Sequence, residues 1–139
     1  YYRDEEKTAQ SFRNGWHHTG DLVTMDEEGF IYFVDRVKDM IKTGGENVAS
    51  QEVEAMLFQC PGVADAAVIG LPHEYWSEVV TAVVVPAPGQ ELTEEGVIAF
   101  CKEHMAGYKA PKKVFFLDEL PRNPSGKIIK KDLRERFAG

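Results

Sequence analysis

The sequence predicts an α+β fold, a short antiparallel three-stranded sheet flanked by helices. Three observations carry that expectation. Two β-branched runs, VADAAVIGLP (63–72) and EVVTAVVVPAPG (78–89), are separated only by the polar stretch HEYWS (73–77). A third apolar run, KVFFL (113–117), follows later. Around these runs, apolar residues recur at helical spacing, as Val53, Met56 and Leu57 and again as Val97, Ile98, Cys101 and Met105. The 139 residues suit one domain, or one domain with part of another, and 43% apolar and 28% charged residues are ordinary for a globular chain. No segment approaches the roughly 18 uninterrupted apolar residues of a membrane helix.

The elements follow in order. Asp4 is placed to cap a short helix over EEKTAQSF, whose glutamates occupy the first turn. GWHHTGDLV enters a strand, DEEG (26–29) turns the chain, and FIYFVDR returns it, so a hairpin is expected. DMIKT extends as a further strand up to Gly44 and Gly45. Ser50 is expected to cap the helix carrying Val53, Met56 and Leu57, with Pro61-Gly62 as its stop. Thr93 opens the next helix and Gly107 closes it. After KVFFL and a loop, KKDLRERF makes a charged C-terminal helix. There is no internal repeat and no low-complexity segment.

Charge divides unevenly along the chain. Residues 1–107 carry 7 basic and 19 acidic side chains, a net of −12, whereas residues 108–139 carry 9 and 4, a net of +5. A basic end suits a polyanion such as a nucleotide, CoA or nucleic acid. For the helix 130–137, opposite charges at short spacing fit an ordinary solvated surface better. Cys60 and Cys101 form no disulfide framework and fall at apolar helical positions, so both are expected in the core of a cytoplasmic protein. Cys101 and His104 lie three apart, but a metal site needs further ligands, and packing is the stronger reading.

The stretch LPRNPSGKIIKKDL (120–133) places Lys127 after a glycine in a loop bounded by prolines. It is not a phosphate-binding loop of the G-x-x-x-x-G-K-[ST] type. Ile128 follows the lysine, and the upstream glycine is missing. Pro121 and Pro124 restrict the loop and lower the entropy lost when the lysine is fixed.

Four stretches occur in order: GWHHTGDL, DRVKDMIKTGGENV, SQEVEAMLFQCPGVADAAVIGLP and LPRNPSGK. Together they resemble the C-terminal part of the adenylate-forming (AMP-binding) enzymes, of the acyl-CoA synthetase or fatty-acid–CoA ligase type. The resemblance covers nearly the whole chain. It implies a small mobile lid domain, residues 36–139, preceded over residues 1–35 by the tail and last hairpin of a large N-terminal adenylating domain. The absent initiator Met and the start in mid-element agree with a fragment, expected to be inactive alone. The implied chemistry has two steps, formation of acyl-AMP from a carboxylic acid and ATP, then transfer to CoA, with the lid rotating between them. Mg2+ would enter with ATP through the N-terminal domain.

Individual roles follow from the resemblance alone. Asp21 in TGD matches the carboxylate that holds the ribose hydroxyls of ATP, and Arg36 a nucleotide-contacting arginine. Without that context, Asp21 reads as a turn residue. Lys38 matches the hinge. Lys127 matches the lysine that stabilises charge during adenylation, and Lys42 a lysine of the second step. Gly44 and Gly45 match the face that admits pantetheine. Trp76, in HEYWSE against the family's D-x-x-W-G-E, matches an aromatic CoA contact, with a core role equally open. Tyr108, Lys109 and Lys112 in GYKAPKK match a segment that meets the CoA nucleotide. Ala110 departs from the family's pattern, as Ser77 does from its glycine. His17 and His18 receive no role. The partners implied are the chain's own N-terminal domain, a carboxylic acid, ATP and CoA, with no nucleic acid and no membrane span. Trp16, Phe30 and Tyr32 lack a home in a separated piece, which invites self-association. Two alternatives are an adenylation domain that loads a carrier protein and a stand-alone binding module.

Overall fold

A computed structural model describes residues 1–138 and divides the chain into two compact units, Tyr1–Lys38 and Asp39–Gly139. In the first, α1 (Glu5–Ser11) begins at Asp4, whose carboxylate accepts from the Lys7 amide at 2.8 Å. Short strands β1 (Phe12–Arg13) and β2 (Trp16–His17) pair antiparallel. Then β3 (Asp21–Met25) and β4 (Ile31–Arg36) form the expected hairpin. Its turn is built by Asp26, which accepts from the amides of Glu28 and Phe30 and from the Tyr32 hydroxyl. The Tyr32 bond holds the Asp26 carboxyl below its usual range and raises the phenol. Trp16, Phe30, Ile31 and Tyr32 are exposed in this unit. A 3₁₀ turn, Val37–Asp39, follows β4.

The second unit is built on one mixed sheet. Strands β5 (Ile41–Thr43), β6 (Glu46–Val48), β7 (Val63–His73), β8 (Ser77–Pro86) and β9 (Lys113–Phe116) lie in the order β6-β5-β8-β7, with β9 parallel to β8. The sheet is therefore five-stranded and mixed, larger than the three antiparallel strands expected. The excess arises from pairings distant in sequence. Thr43 of β5 pairs with Ser77 at the start of β8, while β9 takes the same strand at Thr81–Val84.

Both faces of the β7–β8 hairpin are buried, which is why these strands read as near-continuous apolar runs rather than alternating ones. On one face Ala66, Val68, Val80, Ala82 and Val84 pack against α2 (Ser50–Leu57) and α3 (Glu94–His104) through Val53, Leu57, Val97 and Cys101. On the other, Ala67, Ile69, Leu71, Val79 and Val83 meet Leu120 and Leu133, the latter from α4 (Lys130–Phe137). Phe115 and Phe137 stack at 4.2 Å beside them.

Helix ends show two corrections. α2 starts at Ser50 itself, with Ala49 in the cap position and no side-chain cap bond. The Ser50 side chain is fully buried and accepts from Lys130 Nζ at 2.6 Å. α3 is capped by Thr93 as expected, Oγ1 accepting from Gly96 N at 3.1 Å, but it ends at His104 and not at Gly107. Met105 is already extended, and the His104 ring folds back, stacked on Phe100 with Nδ1 2.8 Å from the Phe100 carbonyl. Cys101 is buried, and no group of three or more His, Cys, Asp or Glu side chains that could hold a metal ion occurs among the described residues. No helix among them is long and apolar enough to cross a membrane.

Candidate functional site

The loop that carries Lys127 is a small built structure. Asn123 organises it, its Oδ1 accepting from the amides of Ser125 (3.1 Å) and Lys127 (2.8 Å) and from the Ser125 hydroxyl (2.8 Å). Asparagine suits this task because its short amide reproduces a backbone turn. Its main chain bonds Lys127 O and Gly126 N, and Gly126 takes the φ of +84° that closes the turn. Arg122 pairs across the loop base with Ile128, donates to Gly126 O at 2.7 Å and binds Asp65 Oδ2 at 2.5 Å. Lys127 stands exposed at the tip, and its ammonium makes no hydrogen bond or ion pair among the described residues. A fixed backbone thus presents a free cation.

A second cluster forms at the start of β8. Gly44, at φ +59°, lies directly against the Trp76 indole, where an added Cβ would stand 2.7 Å from Cε3 and 2.8 Å from Cζ3. Gly44 N also donates to Trp76 O at 3.0 Å. Lys112 Nζ sits 4.7 Å from the Trp76 ring centroid, and Tyr75 meets the ring edge-on at 4.7 Å. Such a cation over an indole face is attractive. Trp76 is 36% exposed, neither a core residue nor a free one. Gly45 takes φ +85° with nothing within 4 Å of an added Cβ, so its side faces open space. Lys42 is exposed on β5, and its amide donates to Glu78 Oε2 at 2.8 Å.

Tyr108 is exposed beside Lys109, whose Nζ lies 5.8 Å from the phenol centroid. Lys109 is already engaged, 2.6 Å from Glu52 Oε1 on α2, and that hydrogen bond raises its pKa. Glu52 carried no signal in the sequence, because the pair spans two elements.

In the first unit, Asp21 and Arg36 face each other across the β3–β4 ladder. Arg36 Nε stands 2.7 Å from Asp21 Oδ1, near enough for Coulombic pairing but off the angle a hydrogen bond needs. That oxygen is therefore held by charge while keeping its lone pairs free of donors among the described residues. Lys38 is exposed in the 3₁₀ turn, and the division between the two units falls immediately after it.

The two clusters of the second unit lie at opposite ends of one hairpin. Trp76 and Gly44 adjoin Ser77, at the closed end. The Lys127 loop is anchored through Arg122 to Asp65, which pairs with Val85 near the open end. Eight residues of strand separate Ser77 from Val85, roughly 26 Å at ~3.3 Å per residue.

A family model described as the AMP-binding enzyme C-terminal domain matches residues 52–127, and the chain belongs to that family. It is 47% identical over 138 residues to a long-chain-fatty-acid–CoA ligase of Mycobacterium tuberculosis, covering 99% of this chain and 27% of that protein. It is 48% identical over 137 residues to a feruloyl-CoA synthase of an Amycolatopsis species, covering 99% and 28%. Among solved structures, ATP-bound MatB from Rhodopseudomonas palustris superposes with a TM-score of 0.90 at 44% identity, over 99% of this chain and 28% of that one. The chain therefore spans little more than a quarter of the length of these relatives.

Proposed function

We propose that this chain serves as the C-terminal lid of an AMP-forming acyl-CoA synthetase, a cytoplasmic enzyme that activates a fatty or other carboxylic acid as acyl-AMP and passes the acyl group to CoA. The observation that carries the reading is the separation of the two clusters. The loop that presents the cation is anchored at Asp65, opposite Val85, and the aromatic, glycine-lined surface adjoins Ser77, positions ~26 Å apart along β8. A single active site can use them only in turn, by rotation about a hinge at Lys38.

In the first step Lys127 lies between the incoming carboxylate and the α-phosphate of ATP. Its ammonium offsets their repulsion, and the Asn123-ordered loop supplies it without reorganisation at the moment of reaction. Asp21, paired with the Arg36 guanidinium, accepts from the ribose hydroxyls. Mg2+ would enter with ATP through the N-terminal domain and would help neutralise the phosphate charge there. In the second step Gly45 leaves room for pantetheine, while Trp76, Lys112 and Tyr108 meet the rest of CoA and Lys42 lines the approach. Lys109 reaches a phosphate only by exchanging it for Glu52.

The test joins this chain to its preceding N-terminal domain and assays pyrophosphate release and acyl-CoA formation over fatty, aryl and short branched acids. ATP- and CoA-dependent thioester formation, absent from the 139 residues alone, is expected. Transfer to a holo-carrier protein in preference to free CoA would overturn the assignment of the acceptor.

A further inference from the structure

The Trp76 turn is held by a residue that none of the roles above uses. His73 ends β7 and pairs with Ser77 of β8 across the tip of the hairpin. Its Nδ1 lies 3.1 Å from the Tyr75 amide and 3.3 Å from the Trp76 amide. Both of those groups are N–H donors, so Nδ1 must offer its lone pair, and the ring proton resides on Nε2. Two amides at the tip of an exposed turn thus converge on one imidazole nitrogen. The arrangement is the one by which an aspartate or asparagine side chain usually orders a turn.

What the bond controls is the direction of the indole. Trp76 N is tied to His73, Trp76 O accepts from Gly44 N, and the ring lies against Gly44 beneath Lys112. The next residue, Ser77, sits at φ +68°, a conformation that L side chains adopt reluctantly. The turn therefore does not take this shape from backbone preference alone. Without the two bonds to Nδ1, its amides would turn to water and the indole would lose one of its two main-chain tethers.

We propose that His73 is a positioning residue for the thioester-forming half-reaction, acting through Nδ1 to hold Trp76 against Gly44 and Lys112. The inference rests on the reading of Trp76 as a CoA contact given above. It assigns His73 no contact with substrate.

The test uses the full-length enzyme and the variants His73→Ala, His73→Asn and His73→Gln. Asparagine returns an acceptor to the Nδ1 position, whereas glutamine carries its acceptor one carbon further out. Single-turnover transfer from preformed acyl-AMP to CoA should show KM for CoA raised about tenfold in His73→Ala, the scale of one to two net hydrogen bonds. Adenylation should be unchanged. Asparagine should restore KM to near the parent value and glutamine should not. Equal rescue by glutamine, equal loss in both half-reactions, or an unaltered KM in His73→Ala would overturn the proposal. A second readout separates this from failure of the functional reading. In the 139-residue chain carrying Trp16→Phe, Trp76 is the sole tryptophan, and His73→Ala should shift its emission to the red and increase its quenching by acrylamide. If the parent enzyme forms no acyl-CoA, the functional reading fails. An unmoved Trp76 signal in His73→Ala would sink the positioning role whatever the enzyme makes.

Discussion

Replacing Gly44 by alanine should destabilise the second unit and displace Trp76, and the size of the effect can be worked from two terms. The first is backbone. At φ +59° an L-residue costs roughly 1–2 kcal/mol relative to glycine. The second is steric. The new Cβ would stand 2.7 Å from Trp76 Cε3, whereas ordinary contact begins at 3.4 Å, so the indole must retreat by at least 0.7 Å. Overpacking of this kind costs about 1–3 kcal/mol. Gly45→Ala is the internal control, because Gly45 has φ +85° but no atom within 4 Å of an added Cβ. It should show the backbone term alone. Urea unfolding followed by Trp76 emission, in a Trp16→Phe background, should place Gly44→Ala below Gly45→Ala by about 1–3 kcal/mol, with a red-shifted native spectrum only in the former. In the full-length enzyme the same variant should raise KM for CoA and leave adenylation intact. Equal stabilities for the two alanines, with identical native spectra, would refute the packing of Trp76 on Gly44.

Other outcomes follow from single features. Lys127→Ala should slow adenylation by ~10²–10³-fold, the usual loss on removing one preorganised charge stabiliser, and spare transfer from synthetic acyl-AMP to CoA; equal slowing in both assays would contradict the role. Its stability should stay within about 0.5 kcal/mol of the parent, since the exposed ammonium has no partner among the described residues. Ser77→Gly should raise the melting temperature by a few degrees, because relief of the φ of +68° is worth about 1 kcal/mol. Cys101, whose thiol burial pushes up to about 11 from 9.0, should resist iodoacetamide at pH 8 until the chain unfolds. A raised folded-state pKa makes its contribution to stability complete below pH 9 and progressively lost as pH climbs to 11, by about 3 kcal/mol in all. The urea midpoint should therefore fall less between pH 8 and pH 11 in Cys101→Ala than in the parent.

What the sequence made legible was local. The Asp26 turn, the Thr93 cap and the two central strands each depend on a few adjacent residues, and each stands where the chain's chemistry placed it. Ser50 failed as a cap because its hydroxyl is claimed by Lys130, 80 residues away, a competitor that no local pattern reveals. The five-stranded sheet was underestimated for the same reason, since Thr43–Ser77 and the parallel β8–β9 ladder join distant segments. Trp76 left two readings open in the sequence, and the structure places it between them, packed on a glycine and still partly exposed. Asn123 was within reach, because an asparagine among prolines, serine and glycine marks a turn. Pro121 and Pro124 flank the turn, and Asn123 makes the bonds that order it.

The free cation at position 127 also depends on how its loop is tied down. α4 follows the loop directly, and two of its side chains reach other elements. Lys130 Nζ stands 2.8 Å from Glu54 Oε1 on α2, with both side chains about 15% exposed. The same Glu54 oxygen accepts from Val68 N on the free edge of β7 at 2.8 Å, so one carboxylate joins two helices to the sheet. Arg134 Nη2 binds Asp39 Oδ1 at 2.7 Å, and Asp39 is the first residue of the second unit. Ion pairs in such partly buried positions hold geometry more than they add net stability. Their effect here is to fasten the base of the Lys127 loop to α2, to β7 and to the segment next to Lys38. In the proposed rotation about Lys38, the loop would therefore be carried along with Asp39 and α4. Breaking Arg134–Asp39 would loosen that linkage without touching Lys127 itself.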